Sequence, residues 1–366
     1  MMKMARSNST LLFLLSTALG TQFLHAQEAR SGFDFRATLT GQAVASNLLS
    51  ATPRLGSPMI AGSRTVVYPT LKINDNWFVT GALQLTTRPY FYKELSNSGY
   101  GAKGMVLQST LNYSHISRKG SFLVRVGEMS TAFGAFMLHY DDNDNALIDL
   151  PTGYGYYYAP VSIAGVAGAQ IDATKGKWDG RAQFANSSPA NPRSLFAHDQ
   201  YGNWAGGAGY TIRQGFRMGI SGYRGPYLDR HYAYFFPGEA NPNTLPASGL
   251  GLDVNWAHGH TSAQGEVQKF VMTYKAIPDF HESTGYGEVK QVLSPRWYVA
   301  FRGGYSTSNA AGNSQTFEAA AGFRPDRLQL IKVSYEHQHM SQGAQQNDNV
   351  LAIQLVTSLH KSVGRE

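Results

Sequence analysis

The chain has no cysteine, and only 15% of its 366 residues are charged. Without Cys it can form neither disulfides nor thiolate metal sites, so an exported protein of this kind must be held together by something else, such as a closed hydrogen-bonded sheet. Long apolar runs are also missing. Beyond the N-terminus nothing approaches the roughly 18 to 20 apolar residues that a spanning helix needs, and the mean hydropathy is slightly negative. If this chain crosses a membrane, it does so with strands. Its formal charge of +7 is not concentrated anywhere. Lys and Arg are spread about one per segment, which argues against nucleic acid as a partner.

What is abundant is Gly (39), Tyr (21) and Phe (19), a composition suited to tight turns and to aromatic belts at membrane interfaces. A basic start (Lys3, Arg6), an apolar core over 11–19 and a cleavage site after Ala26 make residues 1–26 a secretory signal peptide. Residues 27–366 then form one domain, and losing Lys3 and Arg6 lowers the formal charge from +7 to +5.

Over 33–40, Phe33, Phe35, Ala37 and Leu39 alternate with Asp34, Arg36, Thr38 and Thr40, as in a strand with one oily and one wet side. The pattern recurs in pairs around short turns at 74–76, 117–120, 175–177, 213–215, 258–260, 294–295 and 325–326, and 350–359 closes the set. Sixteen strands result, with seven short turns alternating with eight longer connections, the arrangement of an antiparallel transmembrane β-barrel in a Gram-negative outer membrane. Trp77, Phe122, Trp178, Phe216 and Trp297 each follow a short turn within one or two residues, placing a ring at the same interface in strand after strand.

The longest acidic connection, 129–160, carries Asp141, Asp142, Asp144 and Asp149 and no Lys or Arg. A loop of this length without periodicity is usually functional, and folded toward the lumen it would act as a constriction. Strand parity puts Arg36, Lys72, Arg125, Arg181, Arg217, Lys290, Arg302 and Lys332 on the lumen face, with Asp34, Asp172, Asp179, Asp253, Glu266, Glu288, Glu318 and Glu336. Up to Arg217 the cations outnumber the carboxylates (Asp34, Asp172 and Asp179) five to three. Arg36, Lys72, Arg125, Arg181 and Arg217 are therefore the expected basic wall, with Arg125, Arg181 and Arg217 facing the four loop aspartates across an eyelet. Pairing of these charges across neighbouring strands is the alternative. The run Asp141 to Asn145 suits a hard cation but lacks the Gly and Glu of an EF-hand loop; a polar turn explains it as well, and no metal is expected.

The stretch Arg125-Val126-Gly127-Glu128 followed by Thr131-Ala132-Phe133-Gly134 resembles the entry to the constriction loop in the phosphate-selective porin family, and the layout of the whole chain is similar. It differs where that family typically has a basic residue (Glu128) and a proline (Ala132). The resemblance implies a sixteen-stranded, usually trimeric outer-membrane channel. The expected function is passive diffusion of small hydrophilic solutes or ions, including anions such as phosphate, with outer-membrane lipid as partner and no cofactor. A non-conducting barrel used as a surface-binding scaffold is the alternative, with the aromatic loop 225–248 (Tyr227, Tyr232, Tyr234, Phe235, Phe236) as its contact surface. A hydrolase would have to use Ser114 with His115, or His337, His339 and Ser341; neither G-x-S-x-G nor H-E-x-x-H is present, and no enzyme is expected.

Overall fold

In a strand, alternate side chains point to opposite faces, so an apolar/polar alternation becomes a sheet with one oily and one polar side. Closing such a sheet on itself removes both edges and satisfies every ladder hydrogen bond internally, which hydrocarbon demands. The computed structural model, which describes residues 31–47, 49, 59–88, 90, 101–154, 165–186, 202–226, 246–274, 277–309, 312–341 and 346–365, shows this solution. The strands are β1 (Ser31–Ser46), β2 (Met59–Lys72), β3 (Trp77–Arg88), β4 (Gly101–Ser117), β5 (Gly120–Met129), β6 (Val166–Lys175), β7 (Trp178–Ala185) and β8 (Asn203–Arg213). They continue as β9 (Phe216–Pro226), β10 (Pro246–His258), β11 (Thr261–Met272), β12 (Phe280–Val292), β13 (Trp297–Ser308), β14 (Gly312–Phe323), β15 (Gln329–Met340) and β16 (Asn347–Arg365). Each pairs antiparallel with its neighbours, and β1 closes on β16 from Ser31 opposite Arg365 to Ser46 opposite Val350.

The outer wall is apolar: Leu39, Leu83, Val126, Ile220, Val267, Phe301 and Ile353 are all exposed. At the short-turn end, Trp77 lies 5.0 Å from Tyr113, Trp178 4.7 Å from Tyr210 and Trp297 4.5 Å from Phe323, between ring centroids. These pairs form the expected aromatic belt. All eight cations and eight carboxylates assigned inward by parity do belong to the inner face.

Two features depart from the simple pattern. Strands reach further toward the long loops than the alternation shows; β2 starts at Met59, so Arg64, expected in a connection over 46–64, is a strand residue. The inner wall is also not uniformly polar. Val66, Ala82, Leu107, Phe270 and Tyr286 are buried together with Phe133, Phe136, Tyr140 and Tyr154 of the third loop, and Ala300, Leu330 and Val356 with Leu147. A dry core therefore lies inside the barrel, formed where the loop packs on the wall. The segment 1–26, residues 155–160 and the aromatic residues of 227–236 lie outside the described residues.

Candidate pore constriction

Beyond Met129 the chain turns into the lumen, and the inner wall receives it. The amide of Ala132 donates to Gln183 Oε1 (3.0 Å), that of Gly134 to Ser221 Oγ (3.2 Å) and that of Ala135 to the Glu266 carboxylate (3.1 and 3.2 Å). Arg181 Nη2 donates to the carbonyl of Gly134. A Cβ at Gly249 would stand 2.8 Å from the Phe133 ring, so the bare wall there is the seat for that ring. A 3-10 turn, Phe136–His139, follows, with Phe136 5.3 Å from Tyr154 and edge-on to Tyr286 at 6.0 Å.

The loop then crosses to β1–β3. Tyr140 Oη donates to Gln84 Oε1 (2.9 Å), Thr38 Oγ1 to Asp141 (3.0 Å), and Tyr68 Oη also donates to Asp141. Arg64, whose side chain has no exposure, donates to Asp142 Oδ1 (3.0 Å), Gln84 Oε1 (2.9 Å) and the carbonyl of Tyr140 (3.2 Å), and stacks 4.1 Å from the Tyr140 ring centroid. Tyr90 Oη donates to the other oxygen of Asp142 (3.0 Å). Further along, Lys332 Nζ donates to three loop carbonyls, Asp142 (2.8 Å), Asn145 (3.2 Å) and Leu147 (3.0 Å). Arg302 pairs with Glu288 (2.7 Å) and Glu318 (3.2 Å), and donates to the Asp149 carbonyl (2.7 Å) and Asn145 Oδ1 (3.0 Å). The loop is thus latched by two buried cations, Arg64 and Lys332, and by the Arg302 network.

The acidic run is turn chemistry. Asp141 Oδ1 accepts from the amide of Asn143 (2.9 Å), the Asp141 carbonyl from the amides of Asp144 (2.9 Å) and Asn145 (2.8 Å), and Asn145 Oδ1 from the amide of Leu147 (3.3 Å). Short Asp and Asn side chains make such turns because they can bond the backbone two residues on.

The expected basic residues divide. Arg125 pairs with Asp172 (3.1 Å) and Arg217 bridges Asp179 and Asp253 (2.6 Å each). Room for Arg217 comes from Gly209, where a Cβ would lie 2.1 Å from the guanidinium. Cross-strand pairing, the alternative reading of these charges, accounts for Arg125 and Arg217. Lys72 pairs with Asp75 (3.3 Å) at the short-turn mouth, away from the loop. Arg36 lies 4.3 Å from the Tyr68 ring centroid, also toward that mouth.

The expected opposition of the loop aspartates to Arg125, Arg181 and Arg217 is not formed. Asp141 and Asp142 bond β1–β2 and Tyr90, and Asp149 is buried against β13 and β14. The cation that Asp142 meets is Arg64, which the sequence reading missed. The reason is physical: carboxylates in a tight turn point where the turn's own hydrogen bonds aim them. Asp144 is the exception, open to the lumen. Enclosure by the barrel, and secondarily the nearby Asp141 charge, holds its carboxyl above the ordinary aspartate value, against the opposing pull of Arg36, Asn143 and Lys290. Burial likewise pushes the His139 imidazole down.

Exposure differs around the wall. The side chains of Arg125, Arg217 and Asp179 keep 23, 21 and 34% exposure, whereas Arg64, Arg302 and Glu318 keep 0, 3 and 4%. The loop covers the cations of β2, β13 and β15, whereas Arg125, Asp179 and Arg217 on β5, β7 and β9 keep contact with water.

The hydrolase candidates do not assemble. Ser114 faces inward and is buried while His115 is exposed on the outer face; His337 and His339 bond Asn349 and Asn347. Among the described residues no three His, Asp or Glu groups converge as metal ligands.

No protein-family model and no curated protein sequence matches the chain. Several solved structures share its fold. Salmonella typhi OmpF has a TM-score of 0.61 at 11% identity, over 90% of this chain and 98% of that one. Pseudomonas putida OprB has 0.60 at 9%, over 93 and 96%, and an anion-selective porin from Comamonas acidovorans 0.58 at 10%, over 90 and 100%. At these identities the likeness concerns the barrel itself. A closed sixteen-strand barrel with an apolar outer wall and an interfacial aromatic belt belongs in the outer membrane of a Gram-negative bacterium.

Proposed function

We propose that the chain is a passive diffusion channel for small hydrophilic solutes and ions, weakly preferring anions, with its water path along β5–β9. The observation that carries the preference is an excess of lumen cations over free carboxylates. Arg36 and Lys290 rest on tyrosine rings, at 4.3 and 4.4 Å; Arg324 forks onto Asn143 Oδ1 (3.3 and 3.4 Å), and Arg181 onto a carbonyl. None of the four has a carboxylate within salt-bridge distance among the described residues. Of the carboxylates on the facing wall, Asp172, Asp179 and Asp253 are paired, and on the loop Asp144 is exposed. The resemblance of 125–134 to phosphate-selective porins adds inorganic phosphate to the candidate solutes, and a homotrimer to the candidate assemblies. The channel reading needs no cofactor and no covalent step. Close packing of the loop on both walls favours a second reading, a barrel closed at rest.

Conductance and reversal potential in a planar bilayer across a potassium chloride gradient test this directly. Stepwise conductance with reversal displaced toward the chloride equilibrium value is expected; folded protein without steps supports the closed barrel. Replacing Arg125, Arg181 and Arg217 together by Gln leaves Asp172, Asp179 and Asp253 without their counter-charges, and the reversal potential should then cross to the potassium side. An unchanged value means that the path lies elsewhere.

Asp144 gives the pH dependence its sign. Below its raised folded value the carboxyl is neutral and the short-turn mouth carries Arg36, Lys290 and Arg324 unopposed; as pH rises through that value, above the ordinary 3.8, the acquired negative charge weakens anion preference. Asp144→Asn should abolish this step and hold the low-pH preference throughout, as read from reversal potential against pH.

A further inference from the structure

Conduction makes no use of a depression on the outer wall. Over β10–β14 a groove of about 720 Å³ opens on the lipid-facing side. Its floor is backbone: Gly285, Gly287 and Gly303 face outward, and Gly287 lies opposite Gly303 across the β12–β13 ladder, so two adjacent strands carry no side chain at the same height. Leu252 and Val267 rise on one side of this floor and Tyr305 and Phe317 on the other, all well exposed. At Gly287 an added Cβ would meet nothing within 4 Å. Such a trough in the hydrocarbon zone is shaped for a linear apolar chain.

Its end toward the long loops is basic. Lys269 lines the groove, is exposed, and sits beside Ser283 in the β11–β12 register. One row further out, Arg224, Ser248, Val271 and His281 stand side by side on β9 to β12. Arg224 and Lys269 are the only Lys or Arg residues on the outward face of β9 to β14 among the described residues. Arg224 on β9 and Lys269 on β11 stand two strand spacings apart, roughly 10 Å, and one row apart along the strands. With Ser248 beside Arg224 and Ser283 beside Lys269, the two rows offer charge and hydroxyl donors to more than one phosphate group.

We infer that the groove binds one phosphorylated glycolipid of the outer leaflet, an acyl chain lying on Gly285, Gly287 and Gly303 and its phosphates reaching Lys269 and Arg224. The inference rests on the outer-membrane placement and not on conduction. Phosphate contacts here would be charge-assisted and partly desolvated at the interface, the setting in which Lys and Arg bind anions best. The hydrocarbon contact alone would not distinguish this lipid from its neighbours; the spaced cations do.

Native mass spectrometry of the detergent-folded barrel, titrated with lipid A or with phosphatidylglycerol, tests the site. One lipid A should be retained per barrel, at least tenfold more tightly than phosphatidylglycerol. Lys269→Gln should weaken it about tenfold, and Gly287→Leu, which fills the trough from a position with open space, should abolish it. Both variants should keep wild-type conductance, so loss of lipid is separable from loss of fold and from failure of the channel reading. Equal retention of the two lipids, no retention, insensitivity to both substitutions, or occupation of the groove by a second copy of the chain would each overturn the inference.

Discussion

Arg64→Met is expected to raise the conductance of the barrel several-fold, with bursts of wider opening, while leaving the sheet folded. The wild-type guanidinium is wholly enclosed and meets Asp142, Gln84 and the carbonyl of Tyr140. Removing one member of a buried ion pair strands the other charge, at a cost of about 3 to 5 kcal/mol. In most proteins that cost appears as global instability. Here the ladder from β1 to β16 closes without the loop, so relief comes locally, by lifting the 141–149 segment into water. Such a cost moves the docked-to-undocked ratio by roughly two to four orders of magnitude.

The partner substitution separates this account from simple damage. Arg64→Met with Asp142→Leu replaces an ion pair by two apolar side chains next to Val66 and Tyr140, and such exchanges are often neutral or stabilising. The double variant should return to near wild-type conductance. If it conducts as widely as Arg64→Met alone, the wider opening comes from lost side-chain volume, and the stranded charge is not its cause.

The fold and the inner-wall charges were legible because both follow from a local rule. A period of two assigns a face to each residue, so Arg125, Asp172, Arg181 and Arg217 could be placed inward from their own strands, and turns such as Asn74-Asp75-Asn76 marked where the count restarts. Arg64 was missed because the alternation of β2 fades over Gly62 and Ser63, whose faces the sequence does not label; counting back by twos from the inward Lys72 would have put it inside. The loop's path was not legible at all. It depends on Gly249 leaving room for Phe133, on Tyr286 meeting Phe136, and on Lys332 lying within reach of carbonyls some 185 to 190 residues earlier in the chain. No local pattern carries such information. The acidic run also misled by composition, since Asp141 and Asp142 serve the turn and β1–β2 rather than the water path, and Asp144 alone of the run is open to it.

Lys332→Met should unlatch the same loop from the other end. Its ammonium satisfies three buried carbonyls at once, of Asp142, Asn145 and Leu147, and methionine fills a similar volume with no donor. Each buried carbonyl left without its bond costs on the order of 1 to 3 kcal/mol, so the loss rivals that at Arg64. Exposure of Leu147 and Ile148, both buried in the wild type, should make the loop tip a thermolysin site, read as two fragments from a barrel that still runs as folded. Because both cations hold one segment, their losses cannot add: once the tip is free, the second substitution acts on contacts already broken. Arg64→Met with Lys332→Met should therefore be cleaved scarcely faster than the more sensitive single variant. Cleavage rates that multiply instead would show two independent latches, and a loop that opens in halves.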